Sequence, residues 1–162
     1  MSRLRIGYGE DIHRTKVGRP LILAGVKIPC SFGLDGHSDA DVVYHAIADA
    51  LLGAAAIGDI GQYFPSDSPD CEGMDSSIIL KRCYSMVKVL RYRLVNIDVA
   101  ISAEKPSLST FVTDMRKNIA AALDINVENV GIQLMTNEGL DAVGEGKAIR
   151  ATAVLLLERK IL

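Results

Sequence analysis

A strand laid over residues 149–158 would be apolar on both of its faces. Ile149, Ala151, Ala153, Leu155 and Leu157 fall on one side, and Ala148, Val154 and Leu156 fall on the other. Side chains alternate strictly along a strand, so each of these faces needs its own cover. Helices of the same chain can supply one layer. In a chain of 162 residues the other layer is expected from a second subunit. This segment therefore calls for a sheet with helices on one face and an assembly surface on the other.

The remaining elements fit such a plan. Leu4, Ile6 and Tyr8 alternate with polar or glycine positions and predict a strand, residues 20–28 predict a second, and residues 30–36 read as a loop. Ser38 and Asp39 open a helix whose apolar positions Val42, Val43, Ile47, Ala50, Leu51 and Ala54 recur at three and four. Gly58, Asp59, Ile60 and Gly61 end it as a helix C-cap. Residues 62–73, with Pro65 and Pro69, form a long loop, which in a compact domain is more often functional than idle. Asp75 or Ser76 caps a second helix carrying Ile79, Cys83, Met86, Val87 and Leu90. Residues 94–103 are the clearest strand, with Val95, Ile97, Val99 and Ile101 on one face and Asn96, Asp98 and Ala100 on the other. Pro106 and Ser107 start a third helix with Phe111, Met115, Ile119, Ala122 and Leu123 inward, and residues 130–135 form another strand. The order β β α α β α β β predicts one α+β domain over residues 1–162, a mixed four- to five-stranded sheet with helices on one face.

Composition removes several functions. Eighteen basic against 20 acidic residues, with no basic run, argue against a nucleic-acid or anionic-membrane surface. Aromatic residues make up 5% with no Trp, which leaves no stacking platform for single strands. No apolar run reaches the roughly 18 residues that span a bilayer. The N-terminus enters a strand pattern without a signal or transit segment, so a cytoplasmic location is expected. Cys30, Cys71 and Cys83 lack CxxC spacing and read as reduced thiols, Cys83 as a core residue.

Chemistry concentrates near the N-terminus. Asp11 and His13 are two apart after a strand, so they share a face if the extended backbone continues. Asp41 and His45 are four apart and share a face if both are helical. The chain has 3 histidines, His13, His37 and His45, all in acid-flanked clusters. Two imidazoles and a carboxylate with one position open make up a catalytic zinc composition, and Asp39 and Asp41 are candidates to accept the ring N–H groups. A polar strand end with surface histidines would give the same spacing. Gly7-Tyr8-Gly9 does not continue as a dinucleotide fingerprint, because position 12 is Ile and no helix follows. No serine sits in a Gly-x-Ser-x-Gly elbow.

Taken together, these segments resemble the 2-C-methyl-D-erythritol 2,4-cyclodiphosphate synthase family of the non-mevalonate isoprenoid pathway. The resemblance is carried by Arg5-Ile6-Gly7-Tyr8-Gly9-Glu10-Asp11-Ile12-His13, by His37-Ser38-Asp39-Ala40-Asp41 with His45, and by Asp49-Ala50-Leu51-Leu52-Gly53-Ala54-Ala55. It continues in Gly58-Asp59-Ile60-Gly61, Phe64-Pro65 and Asn96-Ile97-Asp98. It implies a homotrimer with active sites between adjacent subunits. It also implies a lyase that converts 4-diphosphocytidyl-2-C-methyl-D-erythritol 2-phosphate into the cyclic diphosphate and CMP. Zinc would be held by Asp11, His13 and His45, and a second divalent cation, Mg²⁺ or Mn²⁺, by Glu138. His37, Ser38 and Thr136 would touch the reacting phosphates, Asp59 the methylerythritol hydroxyls, and Gly61 the ribose. Ala103, Pro106, Ser107, Leu108 and Ser109 would form the cytosine pocket.

The sequence departs from the family pattern after Glu138. Glu145 stands where the family has a phosphate-binding Arg, Lys147 where it has a Glu, and Ala142 where it has an aromatic residue near the trimer axis. Positions 145 and 147 point the same way in extended backbone, so Lys147 is expected to replace the missing cation toward the substrate, with Glu145 paired to it or turned to solvent. The alternative is a non-catalytic trimeric metal- or nucleotide-binding homologue that has lost turnover through the altered segment from Gly144 to Ala148. A metal-dependent phosphohydrolase would need a water in line with the phosphorus.

Overall fold

A computed structural model describes residues 3–160 of the chain. Met1 and Ser2, the start of the segment read as lacking a leader, lie outside the described residues. Strand β1 (Leu4–Val17) runs antiparallel to β7 (Ala148–Arg159), which runs antiparallel to β5 (Tyr92–Ser102). Strand β6 (Val130–Met135) adds in parallel to β5, and β4 (Phe32–Leu34) closes the other edge on β1, giving a five-stranded sheet ordered β4-β1-β7-β5-β6. The terminal strand read as needing cover on both faces is thus the centre of the sheet.

Helices α1 (Val42–Ala55), α3 (Ser76–Val89) and α4 (Val112–Leu123) form the covering layer. The face of β7 toward them carries the buried Ile149, Ala151, Ala153, Leu155 and Leu157. The opposite face exposes Ile6 (76%), Tyr8 (61%) and Val154 (47%), which no other described residue covers.

Small residues set how closely α1 approaches the sheet. A Cβ on Gly7 would stand 2.1 Å from the Ala50 carbonyl oxygen, and one on Gly9 would stand 2.1 Å from that of Ala46. The helix backbone thus rests directly on β1, with Ala50 over Gly7 and Ala46 over Gly9. The His45 side chain, one residue before Ala46, reaches Asp11, two residues beyond Gly9.

Several local expectations are corrected. Residues 20–28 are not one strand but a hairpin, β2 (Leu21–Leu23) and β3 (Val26–Ile28), because Ala24 and Gly25 take positive φ of 48° and 70° and turn the chain. The segment expected to be a loop before Gly36 contains β4, paired to the far end of β1. The first helix starts after Asp41, which caps it. Residues 58–61 do not cap the helix: Ala56 does so in the left-handed conformation, and Asp59 instead caps a short α2 (Ile60–Tyr63). Asp49 on α1 accepts from the Ile60 amide at 2.7 Å and fastens α2 in place. In β5 the register shifts between Leu94 and Asn96, so Leu94 rather than Val95 joins Ile97, Val99 and Ile101 in the core. Pro106 and Ser107 precede the third helix rather than starting it, since α4 begins at Val112.

Candidate functional site

Strand β1 stays extended through Val17, so Asp11 and His13 follow Gly7 and Gly9 on the side facing α1. His45 lies in the first turns of α1, which the two glycines seat against that strand. Asp11 Oδ2 is 2.8 Å from His13 Nε2 and 3.0 Å from His45 Nδ1, and the two nitrogens are 3.3 Å apart. All three ligand atoms lie within 4.8 Å of one another. Two unconnected clusters of the sequence have become one group.

The outer ring nitrogens explain why these atoms face inward. His13 Nδ1 is 2.6 Å from the carbonyl oxygen of Asp35, which only accepts, so Nδ1 carries a proton and, in the neutral ring, Nε2 presents the lone pair. Gly36 makes room for that ring, since a Cβ there would stand 3.0 Å from His13 Cε1. His45 Nε2 contacts Ser38 Oγ at 3.2 Å and Ser76 Oγ at 3.0 Å. Arg19 donates to the carbonyls of Gly36 at 2.7 Å and Ser38 at 2.8 Å, which clamps the intervening loop.

Electrostatics binds the group together. Burial alone would raise the Asp11 pKa, but the adjoining His13 and His45 rings outweigh it and hold the carboxyl well below the usual carboxylate range. Burial would lower the His13 pKa, and the Asp11 carboxylate outweighs it and raises the imidazole above its ordinary value. Two imidazole nitrogens and a carboxylate oxygen converging at this spacing are a triad that could hold a metal ion. Three protein ligands leave a position for a further oxygen ligand, the composition of a catalytic site rather than a closed structural one.

The two nearby aspartates do not both serve the histidines. Asp41 is fully buried and accepts from the amides of Ala24, Gly25, Val43 and Tyr44 at 2.7–3.2 Å, joining the β2–β3 turn to the start of α1. Its expected role toward a ring N–H is therefore corrected. It caps the helix instead of riding on it, and its oxygens are committed to the backbone. Asp39 reaches His45 only through the Ser76 hydroxyl.

A cavity of about 530 Å³ opens over the triad and is also lined by His37, Ser38, Gly61, Phe64 and Pro65. His37 Nε2 lies 2.9 Å from the Ser68 carbonyl, which it meets as a donor. Asp59 precedes this wall, capping α2 through the Gln62 amide at 3.2 Å and accepting from Gln62 Nε2 at 2.9 Å.

A second cavity, of about 320 Å³, gathers Ala103, Pro106, Ser107, Leu108 and Ser109 with Thr136. The whole stretch expected to read a base is thus brought together at the ends of β5 and β6. Glu138 follows in an exposed turn, its carboxylate 3.5 Å from Thr136 Oγ1. Within one protomer the two cavities share no lining residue, and Glu138 is not part of the triad's group.

Lys147 is brought to neither cavity. It lines a separate one with Ile12, Arg14, Thr15, Ala142 and Ala148, and its ammonium is paired with the Glu145 carboxylate. The pairing agrees with expectation, but the extended backbone assumed for it does not occur. Glu145 is helical at the end of α5 (Asp141–Gly144), and Gly146 turns the chain at φ 72°.

Ser76, Asp35 and Arg19 also belong to the site, with nothing in the sequence to mark them. Each acts through a contact 17 to 31 positions away in sequence, so no local pattern marks it.

The chain matches the family model described as the YgbB family over residues 4–158. It is 50% identical over 154 residues to the 2-C-methyl-D-erythritol 2,4-cyclodiphosphate synthase of Moorella thermoacetica, covering 95% of this chain and 94% of that one. The solved structure of IspF from Plasmodium falciparum in complex with CDP superposes with a TM-score of 0.87 at 35% identity, over 99% of each chain. The bifunctional IspDF from Campylobacter jejuni gives a TM-score of 0.94 at 35% identity, over 97% of this chain and 42% of that longer one.

Proposed function

This chain belongs to the YgbB family, that of the 2-C-methyl-D-erythritol 2,4-cyclodiphosphate synthases, and on that premise we propose how its two cavities carry out the family's reaction. It is an enzyme, a phosphorus–oxygen lyase of isoprenoid biosynthesis. It converts 4-diphosphocytidyl-2-C-methyl-D-erythritol 2-phosphate into 2-C-methyl-D-erythritol 2,4-cyclodiphosphate and CMP.

The observation that carries the mechanism is the convergence of Asp11, His13 and His45 in the same cavity as His37 and Ser38. The triad's nitrogen-rich donor set fits Zn²⁺, which when bound supplies Lewis-acid neutralisation of diphosphate charge. The nucleophile is the substrate's own 2-phosphate, largely ionised at pH 7 because such a monoester's second pKa is about 6. An oxygen of that phosphate bonds to the β-phosphorus, the bond from that phosphorus to the bridging oxygen breaks, and CMP departs with that oxygen. No activated protein nucleophile is needed. His37 and Ser38 hold phosphate oxygens, Asp59 fixes the methylerythritol hydroxyls, and Gly61 lies against the ribose, so the substrate stays bent toward attack. The base is read by residues 103–109 through Ala103, Pro106, Ser107, Leu108 and Ser109. Thr136 and Glu138 serve the phosphates and a second divalent cation, Mg²⁺ or Mn²⁺.

A substrate that occupies both cavities must bridge them, and a homotrimer supplies the bridge by facing one protomer's metal cavity with another's nucleotide cavity. The uncovered apolar face of β1 and β7 supports that assembly. Among the described residues no helix is long and apolar enough to cross a membrane, and we assign the enzyme to the cytoplasm, with no nucleic-acid partner. Phosphorus NMR of purified protein with the diphosphocytidyl substrate, Zn²⁺ and Mg²⁺ tests the reaction. Cyclic diphosphate and CMP in equal amounts are expected, whereas a linear product or no CMP would refute it.

A further inference from the structure

The hydroxyl of Ser76 is fully buried between His45 and Asp39. Every donor aimed at the Asp39 carboxylate finds only an acceptor there. The Asp41 amide reaches Oδ1 at 3.1 Å, the Ser76 amide reaches Oδ2 at 3.1 Å, and the Ser76 hydroxyl points to Oδ1. A serine has one proton and two lone pairs. With that proton committed to Asp39, Ser76 can meet His45 Nε2 at 3.0 Å only as an acceptor.

His45 is under a contrary pull. Its Nδ1 lies 3.0 Å from the Asp11 carboxylate, which would draw the imidazole proton to that nitrogen. A proton there would occupy the lone pair that the metal needs. A proton on Nε2 instead satisfies Ser76 and leaves Nδ1 free. We propose that Ser76 is a positioning residue of the metal site, locked as a donor to Asp39 so that its lone pairs hold the His45 proton on Nε2 against Asp11. The same arrangement serves Ser38. Its Oγ accepts from the Ala40 amide at 3.2 Å and faces the His45 proton at 3.2 Å, and with the Ser76 proton committed to Asp39 its own proton can be given to Ser76 Oγ at 3.5 Å or to an anion in the cavity.

This inference rests on the reading of the triad as a zinc site, and the experiment separates the two. Nitrogen-15 NMR of the histidines in the metal-free full-length protein reports which ring nitrogen of neutral His45 carries the proton. Competition with a chromophoric chelator reports zinc affinity. In wild type the proton is expected on Nε2. In Ser76→Ala it should shift toward Nδ1 while zinc affinity falls about 10- to 100-fold, the range seen when a partner of a ligating histidine is removed. Ser76→Thr, which keeps the hydroxyl, should restore both toward wild type. A wild-type proton on Nδ1 overturns the proposal even if Ser76→Ala does not fold, and so does a folded Ser76→Ala with unchanged tautomer and affinity. A wild type that binds no zinc overturns the metal reading instead.

Discussion

The Ala46 carbonyl oxygen lies where a side chain on Gly9 would begin, 2.1 Å from an ideal Cβ. A backbone carbonyl in the middle of α1 cannot turn aside, so Gly9→Ala must lift the helix off β1. Overpacking of this kind costs about 1–3 kcal/mol, and here the upper end is expected. The same lift would separate His45 from Asp11. Urea unfolding should show the loss of stability, and chelator competition should show weaker zinc binding. Wild-type values in both would contradict the placement of the helix.

The pH dependence should change sign when metal binds. The His13 pKa is raised above its ordinary 6.5, so in metal-free protein the His13–Asp11 pairing stabilises below that value and is lost as pH rises through the raised pKa. The Asp11 pKa is lowered from 3.8, so its contribution is present above 3.8 and lost as pH falls toward the lowered value. Metal-free protein should thus be most stable between these ordinary values. Zinc needs neutral His13, so the gain in stability of the loaded protein over the metal-free form should grow as pH rises toward the raised His13 pKa and level off above it. Thermal melts of both forms from pH 4 to 9 check this, and parallel curves would contradict it.

Val154 pairs across β1 and β7 with Tyr8, and Ile6 pairs with Leu156, on the face away from the helices. Wild type should sediment as a trimer, and Val154→Arg as a monomer. The triad lies on the opposite side of the sheet, so the variant should keep its zinc while losing turnover, because in the proposed trimer each substrate bridges cavities of two protomers. A monomeric wild type, or an active monomeric variant, would contradict the assembly.

Much of this arrangement was legible in the sequence, and the exceptions share a cause. Asp11 and His13 can be paired from the period of two along a strand, whereas the set with His45 rests on the family resemblance, because Asp41, four residues before His45, is committed to the helix cap. The meeting of Asp11, His13 and His45 depends on Gly7 and Gly9, whose role is visible only once α1 is placed. Asp41 departs from expectation because an aspartate just before a helix looks the same in sequence whether it caps the helix or rides on it. Val95 was assigned inward because a bulge leaves no mark on an alternating pattern. Ser76, Asp35 and Arg19 act across the fold, where sequence distance conveys nothing.

Lys147 offers a check on the altered segment. Its charge is answered by Glu145 on the same turn, and it lines neither site cavity of its protomer. Lys147→Ala should therefore leave zinc content and KM for the diphosphocytidyl substrate close to wild type. A marked rise in KM with zinc unchanged would show that a neighbouring subunit brings this ammonium to the phosphates.

Asp11, His13 and His45 are proposed together to hold a catalytic zinc. Metal analysis of purified protein after exhaustive dialysis, for wild type and for His13→Ala, His45→Ala and the double variant, tests this most directly. One zinc per wild-type chain is expected, with loss of tightly bound zinc in each single variant while the sedimentation coefficient stays unchanged. A folded double variant that still carries stoichiometric, tightly bound zinc would contradict the account.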